Sequence, residues 1–531
     1  MAWHGSAGAG TVVEGRGALA ATAAIEADSG APPQLTGMRL YIATIACSLG
    51  SFLALLDVSV ANVSVPHIAG ALGVSPTQGT WIITSYAVAE AIGMPLTGWL
   101  AKRYGALRTY LVAMGGFMVA SALCGAVPSL AMLVVARVLQ GACGAPLLPL
   151  CQTLTMRIFP GGRTPTALAI TAMVSVMAPV LGPILGGTIT DNISWRWIFY
   201  LNIPFVAIAI LLCHRLIGPY ETKTAPARID YVGLILVVVA VGAFQLTLDL
   251  GREYDWFNST MIVTLAIVAA IGFAAFLIWE LTEEHPVVDL RVMRHRGFWA
   301  ACLCMAVGYA SLMSTTVMVP LWVQTTLGYP ATDAGWVVAP SSMFSMIMVP
   351  LCGMLVTRTR LDPRFLACCG LLWVALVATL RAHSTPDLEM WQIAAPQALQ
   401  GISNSMIMMT LSIVAINAVD LDEIPSATGL LAFVRTIGTA IGISLATTGW
   451  DSGGRVARAD LVGELNGAEE AIARMATGGM SELQSRSMLE AMIGAQSRTV
   501  AFDHVFALMA ALAAFTALLI WIIPRPGKRR I

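Results

Sequence analysis

The feature that most constrains this chain is a succession of apolar runs, each about 20 residues long, separated by short polar connections. A helix rises about 1.5 Å per residue, so such a run matches a hydrocarbon core of roughly 30 Å. No ten-residue segments of alternating polarity occur, which argues against a membrane barrel. With 57% hydrophobic and only 11% charged residues, the chain stands far from soluble domains, where about a quarter of residues carry charge. Hydropathy places spans at 38–64, 79–101, 109–127, 130–152, 165–190, 196–216, 230–248, 260–280, 298–322, 334–356, 364–382, 390–416, 425–448 and 501–523. The expected fold is an all-α membrane protein of fourteen transmembrane helices in a 6+2+6 arrangement.

Loop charges orient these spans, because cytoplasmic loops collect Lys and Arg. Lys102, Arg103 and Arg108 follow the second span, Arg157 and Arg163 the fourth, and Arg215, Lys223 and Arg228 the sixth. Arg291, Arg294 and Arg296 follow the eighth, Arg358, Arg360 and Arg364 the tenth, and Arg525, Lys528, Arg529 and Arg530 close the chain. Both termini are therefore expected in the cytoplasm. The loop after the twelfth span breaks the pattern with Asp420, Asp422 and Glu423. The expected organisation is a disordered tail over 1–37, a six-helix bundle over 38–216, and a linker with two extra spans over 217–297. A second six-helix bundle covers 298–523, and a basic tail covers 524–531. Residues 450–500 form an external loop with helix-forming stretches, its arginines exempt from the bias because long loops translocate regardless of charge.

Thirty basic and thirty acidic residues cancel, so charge favours neither nucleic acid nor an acidic partner. The ten cysteines lie in or at the ends of apolar runs and read as polarizable packing rather than as a disulfide framework. Walker loops, H-E-x-x-H and nucleophile elbows are absent from the sequence. No metal, cofactor or enzymatic chemistry is expected.

Two short motifs recur at nearly one offset. Gly98 to Arg103, G-W-L-A-K-R, returns as G-M-L-V-T-R from Gly353, and R-V-L-Q-G from Arg137 returns as Q-A-L-Q-G from Gln397. An internal duplication follows, and such repeats place substrate between their halves.

Charges inside spans cost at least roughly 2.5–3.5 kcal/mol and mark function or pairing. Asp57 and Arg137 each lie about seven residues from the outer end of a span, roughly 10 Å deep, where facing helices let them pair. Their expected role is proton coupling: the carboxylate stays ionised beside the guanidinium and loads a proton when that partner moves. The alternative is a static pair that fixes packing. Glu90 falls near the midplane, as a second proton carrier or a recognition site for cationic substrates, the alternative being packing alone. Arg435 needs an acceptor, in an anionic substrate or in the opposing half, or serves structure; Gly438 and Gly442 beside it form a G-x-x-x-G face. Asp249, at the end of the seventh span, reads as hydrated. Glu90, Tyr86, Gln140, Gln397, Gln400, Asn404 and Arg435 are the expected substrate-cavity residues. Conformational change is assigned to Gly98, Lys102, Arg103, Gly105, Arg108 and Gly141. Pro179, Gly182, Pro183, Gly186 and Gly187, in A-P-V-L-G-P-I-L-G-G, complete that set by permitting a bend and a close neighbour.

L-D-V-S-V-A-N-V-S-V-P from Leu56, R-V-L-Q-G from Arg137 and the helix-breaking run from Ala178 together resemble the major facilitator superfamily, in its fourteen-helix drug and proton antiporters of the EmrB and QacA type. G-T-W-I-I-T-S-Y from Gly79, P-L-T-G-W-L-A-K-R from Pro95 and W-R-W-I-F-Y-L-N-I-P from Trp195 are similar to its EmrB branch. The resemblance implies alternating-access export of hydrophobic or amphiphilic toxic compounds in exchange for protons. It further implies a bacterial inner membrane, a periplasmic adaptor contacting residues 450–500, and an outer-membrane channel. Lys102 stands where the family pattern has an acid, so a carboxylate latch does not transfer. An exporter of one metabolite such as a siderophore, or a non-transporting sensor, are the rival readings.

Overall fold

The computed structural model describes residues 35–74, 76–159, 164–222, 224, 230–284, 286, 288–358, 361–420, 423–464, 468–477 and 480–524. The tail up to residue 34, the loop residues Arg163, Lys223, Arg228, Arg360 and Asp422, and the terminal Arg525, Lys528, Arg529 and Arg530 lie outside the described residues.

Every regular element among the described residues is helical, as a chain that buries its backbone in hydrocarbon requires. The first half contains α1 (Gly37–Ala71), α2 (Trp81–Tyr104), α3 (Ala106–Ala126), α4 (Leu130–Gly144), α5 (Leu147–Ile158), α6 (Thr164–Asn192) and α7 (Asn202–Ile217). Next come α8 (Tyr231–Gly251) and α9 (Thr260–Thr282). The second half contains α10 (Arg296–Thr325), α11 (Ala331–Arg358), α12 (Pro363–Arg381), α13 (Met390–Asn417), α14 (Ile424–Glu464), α15 (Ala468–Thr477) and α16 (Glu482–Leu519). The fourth expected span is thus broken at Ala145 and Pro146 into α4 and α5.

By length and composition twelve helical spans among the described residues can cross a membrane, or thirteen if the bent pair within α6 counts as one. The expected count of fourteen is not reached on that criterion. The remaining helix, α2, has 24 residues, but Thr84, Ser85, Glu90 and Thr97 dilute its apolar content. In α6 the axis turns by 41° between Ile170–Pro179 and Ile184–Thr190, at the prolines that remove backbone donors from the helix ladder.

Within the first half α1 packs along α6, and α4 lies between α2 and α3. The second half repeats this plan, with α13 packed on α11 and α12, and α10 on α14 and α16. The halves meet where α6 lies against α11 and α2 against α14. Helices α8 and α9 pair with each other, and α8 rests on α2.

Residues 450–464 and 482–500 continue two spans as helix. Helix α14 continues without a break to Glu464, so its part beyond residue 448 projects by roughly 24 Å. Helix α16 returns from Glu482, opened by a capping box in which Gln484 N–H donates to Ser481 Oγ at 3.2 Å and Ser481 N–H donates to Gln484 Oε1 at 2.9 Å. The short α15 lies against α16. This hairpin marks one face of the molecule, and Lys102 marks the other.

Candidate functional site

Asp57 and Arg137 meet inside the first half. Helix α1 supplies Asp57 and α4 supplies Arg137, whose Nη1 donates to Asp57 Oδ2. Both side chains are 1% exposed. The guanidinium also donates through Nε to the Ile82 carbonyl at 3.0 Å and through Nη1 to Gln140 Oε1 at 2.8 Å. Gln140 in turn donates from Nε2 to Asp57 Oδ1 at 2.9 Å, and Asn202 Nδ2, at the start of α7, reaches the same oxygen at 2.9 Å. Asn202 is held by Ser121 Oγ of α3 at 3.0 Å, and Ser121 donates to the Phe199 carbonyl at 2.8 Å. Five helices therefore converge on one carboxylate that accepts three hydrogen bonds.

Burying such a charge is tolerable only with a countercharge and a full set of donors. The Tyr86 ring of α2 completes the enclosure, 4.3 Å from the guanidinium carbon. Gly141 lets α4 approach α2 this closely, because a Cβ there would overlap the Tyr86 carbonyl. Gly144 has the same relation to the Tyr86 hydroxyl, at 2.6 Å.

The expected cavity residues divide into two groups. Tyr86, Gln140, Gln397 and Gln400 are no more than 2% exposed and belong to bundle interiors in this conformation, so they do not line a space between halves. Glu90, Asn404 and Arg435 are half-buried. Glu90 has no hydrogen bond or ion pair among the described residues, while Arg435 of the opposite half and then Arg137 act on it electrostatically. Arg435 lies over the Tyr309 ring at 5.6 Å. Asp249 is exposed and accepts from Gln245 Nε2 at 3.1 Å.

The second half carries an altered copy of the network. Gln400 donates from Nε2 to Thr315 Oγ1 at 2.7 Å, as Gln140 does to Asp57, so a neutral hydroxyl occupies the acid's place. Gln397, in the place of Arg137, has neither amide atom hydrogen-bonded. Arg381, near the end of α12, donates to Gln400 Oε1, where Cys124 Sγ of α3 meets Gln140 Oε1 at 3.4 Å in the first half. A buried cation is thus retained without its carboxylate.

The conformational motifs sit at helix crossings and turns. A Cβ on Gly182 would overlap Ser59 of α1, and one on Gly186 would stand 3.0 Å from the Val60 carbonyl, whereas one on Gly187 would meet nothing within 4 Å. Pro179 and Pro183 lie within the bent helix itself. A Cβ on Gly98 would stand 2.8 Å from Ser426 Cα of α14. Gly105 has a φ of 93°, which only glycine adopts readily, and it turns the chain from α2 into α3. Glu221 then receives the free α3 amides: Leu107 N–H and Arg108 N–H donate to its two oxygens at 2.9 Å each. Lys102 pairs with Asp289 of the connection after α9, at 3.0 Å. Arg103 lies on the last turn of α2.

Several buried polar positions escape sequence reasoning. Asn202 and Ser121 are neutral polar residues in apolar runs, and their only signal is a polar side chain where a span should be dry. Arg381 and Glu280, 5% and 3% exposed, lie at span ends, where a charge ordinarily reads as hydrated.

Comparison with known proteins places this geometry in context. Residues 47–443 match the Major Facilitator Superfamily. The "Multidrug export protein EmrB" of Haemophilus influenzae is 37% identical over 499 residues, covering 93% of this chain and 98% of that protein. The "Fatty acid resistance protein FarB" of Neisseria gonorrhoeae is 38% identical over 419 residues, covering 79% and 82% respectively. Among solved structures, the proton:xylose symporter XylE superposes with a TM-score of 0.60 at 12% identity, covering 92% of this chain and 96% of that one.

Proposed function

The chain belongs to the major facilitator superfamily, and from that premise we propose that it is a multidrug efflux transporter that exchanges hydrophobic or amphiphilic compounds for protons. The observation that carries the coupling is the buried carboxylate of Asp57, ringed by Arg137, Gln140 and Asn202. All three neighbours donate, so the network fits the ionised acid. Protonation removes the countercharge of Arg137 and replaces an acceptor with a donor. The cluster must then rearrange.

Such a rearrangement reaches two of the contacts between the halves. Ser59 and Val60, next to Asp57 on α1, are the residues that Gly182 and Gly186 of α6 pack against, and α6 lies on α11 of the other half. Arg137 also holds the Ile82 carbonyl of α2, which crosses α14 at Gly98. In this conformation the halves touch toward the Lys102 face: Thr153 Oγ1 and Thr428 Oγ1 share a hydrogen bond of 3.0 Å, and Thr436 Oγ1 donates to Met94 Sδ at 3.2 Å. Protonation at Asp57 from the hairpin face, and its loss toward the Lys102 face, alternate with substrate occupancy. Glu90 and Arg435, half-buried and facing one another's field across the halves, are the charged groups that meet substrate.

On this reading the loop cations orient the Lys102 face toward the cytoplasm, with both termini on that side, and the membrane is a bacterial inner membrane. The proton gradient supplies the energy and no cofactor is needed. The projecting hairpin is the candidate contact for a periplasmic adaptor, which an outer-membrane channel would complete; recovery of an adaptor with a protein lacking residues 455–495 would refute that contact. Export itself is tested by reconstituting the purified protein with an imposed pH gradient, a lumenal pH dye and a panel of lipophilic drugs. Drug-dependent proton movement is expected, and substrate accumulation without proton movement contradicts the antiport.

A further inference from the structure

At the hairpin face, the ends of α8 and α10 and the bases of α14 and α16 enclose a cavity of about 450 Å³, a volume in the range of small-molecule sites. Its wall is strongly cationic, with Arg252, Arg455, Arg458 and Arg498 set against the single carboxylate of Asp451. Three of these arginines are held in place: Arg252 Nε lies 3.3 Å from Asp451, Arg458 Nη2 lies 2.7 Å from Glu490, and Arg498 Nη1 donates to the Thr325 carbonyl at 2.7 Å. Arg455 has no hydrogen bond or ion pair among the described residues.

The glycines of this wall are informative. A glycine inside a helix costs about 1 kcal/mol relative to alanine, so it needs a reason. Gly453 has one, since a Cβ there would meet Ala501 at 3.2 Å. Gly454 and Gly494 border the cavity, and a Cβ on either would meet nothing within 4 Å. Packing does not require them, and they leave the space between α14 and α16 open. Leu321 and the ring of Trp450 supply an apolar stretch of the same wall, and Trp450 is fixed by donating from Nε1 to the Arg498 carbonyl at 2.8 Å.

We propose that this cavity binds the head of an amphiphilic anion, a carboxylate or phosphate, with Arg455 as its principal partner and the tail against Leu321 and Trp450. Guanidinium groups match either head through paired N–H donors. Because Arg252 and Thr325 adjoin the ends of α8 and α10, the site lies at headgroup level, open to a lipid phosphate or to an amphiphilic acid leaving the protein.

The full-length protein in phosphatidylcholine nanodiscs is titrated with dodecanoate by calorimetry, and retention of phosphatidylglycerol from mixed vesicles is read by native mass spectrometry. Both are repeated with the double variant Arg455→Gln, Arg458→Gln and with Gly454→Leu, which fills the cavity while favouring the helix. The wild type is expected to bind at least one of the two. Each variant should lose about tenfold in affinity, equivalent to about 1.4 kcal/mol, or lose the retained lipid, with an unchanged unfolding temperature. Dodecanoate binding identifies a free amphiphilic acid as the source and lipid retention identifies the headgroup. A wild type that binds neither, or variants that match it, overturns the site.

Discussion

At the scale of single residues, the account rests on how Asp57 is held. Removing its cation by Arg137→Met leaves a buried charge with two amide donors, which costs about 3–5 kcal/mol and should appear as a lower unfolding midpoint in detergent. Asn202→Ala removes one donor from Asp57 and leaves Ser121 with the Phe199 carbonyl as its remaining partner, at about 1–3 kcal/mol. Export by that variant should persist with an altered pH dependence, because the Asp57 carboxylate loses one of the donors that hold it. An export profile superimposable on the wild type would remove Asn202 from the coupling network. Matching depths on two spans brought Asp57 and Arg137 to one level from sequence alone. Gln140, placed by the same reading in a cavity, is instead the brace between them, because spacing gives depth along a helix but not which neighbour a neutral amide faces.

Helices carry the next set of consequences. The run from Ala178 to Gly187 reads in the sequence as a bend with a close neighbour, and the helix turns by 41° there. Which glycine meets the neighbour is set by helix phase, and only the packed structure shows it. Gly182→Leu should abolish export while the protein still reaches the membrane, since its side chain would be driven into Ser59 of α1. Gly187→Ala, with open space around it, should transport normally; loss of export in both would mean that the whole run, and not the crossing, is what matters. Glu221→Ala strips α3 of its amide acceptor and should lower stability by about 0.5–2 kcal/mol, measurable by thermal unfolding. Residues 450–500 illustrate the limit of reading by hydropathy. Polar helical sequence looks like a loop once it leaves hydrocarbon, although α14 continues into it as far as Glu464 and α16 begins within it at Glu482.

For the whole molecule, the duplicated plan and its asymmetry matter most. Repeated motifs identify two halves, and the structure shows how far they have diverged: Thr315 and Gln397 occupy the places of Asp57 and Arg137, while Arg381 supplies a cation from another helix. On the proposed mechanism, proton coupling belongs to the first half, and the second half provides the surface against which it rocks. Locking the halves at their contact with Thr153→Cys and Thr428→Cys should stop export on oxidation and restore it on reduction, whereas undiminished export by the crosslinked protein would show that this contact does not open during transport. The most direct test of the account is proton movement by Asp57→Asn in proteoliposomes, measured with a lumenal pH dye during substrate transport. Asparagine preserves size and removes the titrating group. The account predicts that substrate-driven proton flux disappears while substrate binding is retained; proton flux at the wild-type rate and pH dependence would contradict it.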